Sequence, residues 1–274
     1  MAITLAGECR VTEMREGKPV ISGTLTVWPQ IGRATGAQAI SLRILEFAPG
    51  LSPGIRNVNC DEILYVLGCG ERGHLVRWSD HSERTINDNV FALVFVDGRS
   101  FEIGPDTGIY LRPGETFAVN NPGARPFVLI SSQCPEPEFA QKFVAPLTAQ
   151  SSDSSPPERP PIVRLTDRAV QPTADRWYRV LVDDEIGSTR ATQFVGSIPP
   201  GRAPDHFHNY EEVLFILKGQ GRMWAGETNT RIALGSCIYL PKGQVHCVEN
   251  TGSDELRLLG VFYPAGSPSV RYDV

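Results

Sequence analysis

Several things that this chain does not have narrow what it can be. No stretch of about 18 consecutive apolar residues occurs, and the best apolar runs, such as Phe91–Val96, have the length of a strand. A membrane span is therefore not expected. There is no basic run, and Lys+Arg 26 against Asp+Glu 31 leaves a formal charge of −5, so the electrostatic footprint of a nucleic-acid binder is missing. A secretory leader is not expected either, because Glu8, Arg10, Glu13, Arg15 and Glu16 interrupt every window of Met1–Lys18. The cytoplasm is the expected compartment. The six cysteines (Cys9, Cys60, Cys69, Cys134, Cys237, Cys247) are too sparse for a disulfide framework and read as buried reduced thiols. Helical periodicity is scarce, and Glu136–Phe143, following Pro135, is the one helix candidate of note. Hydrophobic residues at 41% and charged residues at 21% exclude a wholly disordered chain and a coiled coil.

Present instead are short β-branched and aromatic runs separated by Gly, Pro, Asn and Asp: Ala39–Phe47, Ile63–Leu67, Val90–Val96, Tyr178–Val182, Val213–Leu217 and Leu256–Tyr263. The fold class is all-β. Between Pro146 and Pro161 the sequence PLTAQSSDSSPPERPP has almost no large apolar residue, which makes 146–161 a linker between units at 1–145 and 162–274. The two units repeat each other. DEILYVL (Asp61–Leu67) resembles EEVLFIL (Glu211–Leu217), and GIYLRPGETFAVNN (Gly108–Asn121) matches CIYLPKGQVHCVEN (Cys237–Asn250). The first copy is longer by an extended hairpin around Arg72–Phe95.

The chemistry concentrates in the second copy. His206 and His208 are two apart and so share one face of a strand, with Glu212 following at the start of an apolar strand. Pro241 and Gly243 set a tight turn just before His246, which allows a third imidazole to return to the same place. Imidazoles and a carboxylate form a donor set for a divalent metal. If Glu212 points inward, Leu214 and Ile216 do as well, while Val213, Phe215 and Leu217 face out and need cover from the other unit or another subunit. On the last strand Arg257 faces solvent, which puts Leu256, Leu258, Gly260 and Phe262 inside. Cys247 turns away from the cluster, and Met223, Trp224, Tyr239 and Phe262 read as packing residues. His74 and His81 show no ligand spacing and read as solvated. No Arg or Lys is aimed at the cluster, which does not favour a highly charged substrate.

These residues resemble the cupin family. Its first motif, G-x5-H-x-H-x3,4-E-x6-G, is met by Gly201, His206, His208, Glu212 and Gly219, with one residue fewer between the Gly and the first His. Its second, G-x5-P-x-G-x2-H-x3-N, is met without departure by Gly235, Pro241, Gly243, His246 and Asn250. The resemblance implies two double-stranded β-helix (jelly-roll) barrels, with one divalent metal in the C-terminal barrel on His206, His208, Glu212 and His246. Iron or manganese is favoured over nickel or zinc. In the first copy Glu62 keeps the carboxylate position, but the histidine positions fall at or next to Arg56 and Val58, and the third falls at Phe117, so that barrel is expected to be metal-free.

The resemblance further implies an enzyme acting on a small organic molecule by metal chelation, a dioxygenase-like oxidoreductase first. The alternatives are a metal-dependent isomerase, decarboxylase or hydrolase, or a non-catalytic small-molecule sensor. Glu212 is the candidate base, although no catalytic residue is assigned. A homo-oligomer is an open expectation.

Overall fold

A computed structural model describes residues 1–69, 91–138, 142–149 and 160–269. Both halves are built from antiparallel strands, and the helical turns among the described residues are single 3-10 turns. Each half pairs a large sheet with a smaller one. In the first barrel, Asp61–Cys69 lies between Thr107–Leu111 and Phe127–Cys134, and Ala92–Val96, Thr116–Asn121 and Gly54–Arg56 form the facing sheet. In the second, Glu211–Lys218 lies between Ser236–Leu240 and Leu256–Tyr263, and His246–Asn250, Gln220–Ala225 and Thr228–Ala233 face it.

The repeat seen in the sequence is a repeat of register. Glu62 stands opposite Leu111 in one barrel, and Glu212 stands opposite Leu240 in the other. The terminal Asn of each second motif does the same work twice. Asn121 Nδ2 donates to the carbonyls of Phe47 (2.9 Å) and Arg125 (2.7 Å), and its Oδ1 accepts from Gly123 N–H. Asn250 Nδ2 donates to Ile198 (2.9 Å) and Asp254 (2.7 Å), and its Oδ1 accepts from Gly252 N–H. An amide has both the donors and the acceptor that such a turn leaves unmet.

Alternation sorts the apolar residues into three layers. Leu45, Phe47, Leu64, Val66 and Phe117 fill the first barrel, and Leu214, Ile216, Met223, Leu258 and Phe262 fill the second. Between them, Val213, Phe215 and Leu217 pack in one cluster with Ile44, Ile63 and Tyr65 of the first barrel. The outward face of Glu211–Lys218 is thus covered by the other half of the same chain.

The edges of the large sheets are exchanged across the linker. Arg10–Glu13, from the start of the chain, pairs with Ser236–Leu240 of the second barrel. Ile162–Arg164, after the linker, pairs with Thr107–Leu111 of the first. Two acidic residues reinforce this joint. Glu211 accepts from the backbone N–H groups of Gln38 and Ala39, both at 2.7 Å, and Asp61 accepts from Arg190 Nε at 2.9 Å.

The described residues of Glu136–Phe143, where a helix is expected, are not helical. Lys142–Val144 is a strand paired with Gly54–Arg56, and Phe143 packs against the first barrel's interior. Glu136 is held by Ala39, to whose carbonyl its N–H donates at 2.8 Å. Tertiary pairing overrides the weak local preference of so short a run. The extended hairpin with His74 and His81, and most of the linker, lie outside the described residues.

Candidate metal centre

His206 and His246 come together through the backbone. His206 N–H donates to the His246 carbonyl (3.0 Å), and His246 N–H donates to the His206 carbonyl (2.8 Å), so the two motifs are joined as an antiparallel pair. Gly243 supports this from the turn, where its φ of +78° is a left-handed value that other residues rarely adopt and its N–H donates to the His208 carbonyl at 2.8 Å. The ring nitrogens of His206, His208 and His246 converge, with their ligand atoms all within 4.8 Å of one another. Among the described residues this is the only such group of three. Glu212 Oε2 lies 3.7 Å from Nε2 of both His208 and His246.

Two carbonyls behind the cluster fix the tautomers. His206 Nδ1 lies 3.0 Å from the Pro204 carbonyl and His246 Nδ1 lies 2.8 Å from the Gln244 carbonyl. A carbonyl only accepts, so Nδ1 carries the proton and Nε2 presents its lone pair. Burial lowers the His246 pKa to about 3, with His206 nearby adding to the shift, which keeps that ring neutral. Glu212 is raised to about 8, again by burial. Neutral imidazole lone pairs around a carboxyl that cannot be solvated are a donor set that fits a divalent first-row ion.

The cluster forms part of a pocket of about 700 Å³, counted out to its solvent-open mouth. Its walls include Tyr178, Phe194, Leu214, Val248, Leu258 and Phe262. Gly260 makes the wall possible, since a Cβ there would lie 2.2 Å from Phe194 Cε1. His208 is stacked on Tyr210, with centroids 4.9 Å apart and planes 10° apart. Cys247 does face away, where its Sγ accepts from Arg202 Nε at 3.2 Å.

Tyr210, stacked on His208, and Arg176, in the pocket wall, were not singled out from the sequence. Tyr210 continues the alternation of His206 and His208, and that spacing could have marked it. Arg176 lines the pocket. The strand containing it begins at Arg176, not at Tyr178, because it follows a hairpin turn without Gly: Thr173 pairs with Arg176 across Ala174, whose φ is +55°.

The corresponding place in the first barrel has a different composition. Glu62 is buried, and its carboxylate accepts from Arg43 Nη2 (2.5 Å), Ser131 Oγ (2.7 Å) and Asn57 Nδ2. The arginine beside Glu62 is therefore Arg43, brought across by strand pairing, whereas Arg56 and Val58 are exposed. Asn57 is the inward residue of that stretch. Phe117 sits in the barrel interior, as expected for the third position.

Comparison with known proteins agrees with this architecture. A family profile described as "Cupin domain" matches residues 194–262. Auxin-binding protein 1 of Arabidopsis thaliana is 34% identical over 70 residues, a match covering 22% of this chain and 35% of that protein. An uncharacterized protein of Aquifex aeolicus is 33% identical over 86 residues, covering 30% of this chain and 69% of that one. The chain thus spans only about a third of the plant protein but more than two thirds of the Aquifex protein. Oxalate decarboxylase from Bacillus subtilis at pH 4.6 superposes with a TM-score of 0.69 at 14% identity, covering 94% of this chain and 77% of that structure. The repeated register, the joined motifs and the two-barrel superposition lead to one family: the chain belongs to the cupin superfamily, as a member with two barrels in one polypeptide.

Proposed function

We propose that His206, His208, Glu212 and His246 hold one divalent metal ion and that the protein is an enzyme acting on a small organic molecule bound in the pocket beside it. The observation that carries this reading is the convergence of three ring nitrogens within 4.8 Å, two of them oriented from behind by carbonyls, next to one buried carboxylate. An ion held by these four residues would remain open to substrate oxygens from the pocket side. When bound, the ion supplies Lewis-acid polarisation of those oxygens and, for iron or manganese, one-electron chemistry.

The chain's own residues do the rest. Tyr178, Phe194, Leu258 and Phe262 exclude water, which strengthens every electrostatic interaction inside the pocket. The Pro204 and Gln244 carbonyls hold His206 and His246 in one tautomer. Glu212, at the edge of the cluster, is the group that can carry a substrate proton on its carboxylate.

Elemental analysis of the purified protein and of a His206→Ala/His208→Ala variant tests the metal assignment. A stoichiometry near one ion per chain that falls to near zero supports it, and an unchanged stoichiometry overturns it. Glu212→Gln is expected to keep the ion and lose turnover. Oxygen uptake separates the dioxygenase expected from the sequence from a non-oxidative reaction such as decarboxylation, the activity named for the superposed two-barrel structure.

A further inference from the structure

The pocket contains one charged side chain that metal binding does not use. Arg176 is the only Arg or Lys lining it among the described residues. It shares a strand face with Tyr178 and Val180, both of which pack in the second barrel's interior, so alternation aims the guanidinium inward. Its side chain is largely buried, at 16% exposed. The one anion beside it is poorly placed. Asp175 Oδ1 lies 3.2 Å from Nε but is 64% exposed, and Nε is shielded from solvent without a hydrogen bond among the described residues. Such an exposed ion pair contributes little and yields readily to a better-oriented partner.

We infer that Arg176 is a specificity residue that binds a carboxylate of the ligand in this pocket, so that the ligand is an organic acid with an apolar body. The inference deepens the function proposed above, since it takes the same pocket as the working site. A guanidinium presents two parallel N–H groups that match a carboxylate, and a largely desolvated site makes that pairing strong. The aromatic and aliphatic walls that share the pocket with Arg176 and the cluster match a ring or branched chain.

Isothermal titration calorimetry with benzoate and 3-phenylpropanoate, each against its primary amide, tests this on the metal-loaded full-length protein and on the chelator-treated protein. Each acid is expected to bind more tightly than its amide. Arg176→Gln is expected to weaken the acids about ten-fold to a hundred-fold while leaving the amides unchanged, the range expected for a charge-assisted hydrogen bond. Arg176→Lys should recover part of the loss. Arg176→Gln without effect on the acids overturns the inference, and so does failure of both acids to bind. Acid binding that is lost with the metal but not with Arg176 also overturns it, because the carboxylate then sits on the ion. The two proposals fail separately: if the protein holds no metal yet the acids still depend on Arg176, the metal reading falls and this one stands.

Discussion

Glu211 ties the barrels together next to the histidine cluster, and deleting its carboxylate should weaken the whole chain. The residue is 7% exposed. It accepts from Gln38 N–H and Ala39 N–H at 2.7 Å each, and from the Tyr239 hydroxyl. Glu211→Ala removes the acceptor shared by two partly buried backbone donors and one buried phenol. A buried donor left unpaired costs about 1–3 kcal/mol, so with some relaxation the loss should total about 3–6 kcal/mol. For a chain of this size that corresponds to a fall in the unfolding midpoint of roughly 6–24 °C. Asp61→Ala is the matched control, because Asp61 holds the same position in the first barrel and accepts from Tyr110 Oη (3.0 Å) and Arg190 Nε (2.9 Å). Arg190 is 46% exposed and returns to water when released, so this variant should lose only about 1–3 kcal/mol. Scanning calorimetry on both variants checks the ordering. A Glu211→Ala midpoint within about 2 °C of the parent, or a larger loss in Asp61→Ala, refutes the reasoning.

Other perturbations follow from the same geometry. Phe215→Ala, in the fully buried layer between the barrels, should cost about 3–5 kcal/mol in chemical denaturation, and a loss below about 1 kcal/mol would mean that the layer repacks. Arg43→Leu leaves the Glu62 carboxylate buried without its cation and should cost about 3–5 kcal/mol, whereas Arg43→Leu combined with Glu62→Leu should recover most of it. Asn121→Ala and Asn250→Ala should lower the melting temperature by similar amounts, since each removes an equivalent set of hydrogen bonds. Ellman's reagent should find six thiols after denaturation and, in the native protein, at most slow reaction at Cys69, because the other five are buried and burial raises Cys9 and Cys60 to about 12.

Those residues whose positions follow from local spacing were legible in the sequence. His206, His208, Glu212 and His246 were found because period-two alternation and a tight turn are local rules, and the same alternation divided Leu214 and Ile216 from Val213, Phe215 and Leu217. What was missed depends on pairing between distant segments. Arg43 reaches Glu62 only because its strand lies beside Phe127–Cys134, which no spacing rule reports. Arg176 was lost because a turn through Ala174 carries no glycine signal, and the Glu136–Phe143 run became partly a strand because an edge at Gly54–Arg56 was open to it.

The crossed edge strands set a limit on how this molecule can be divided. A fragment starting at Ile162 would leave the outer backbone row of Ser236–Leu240 without the partner that Arg10–Glu13 provides, presenting a sticky border for self-association. Proteolytic nicking between Pro146 and Pro161, by contrast, should yield two pieces that still travel as one particle, each one clasped by a ribbon belonging to its sibling.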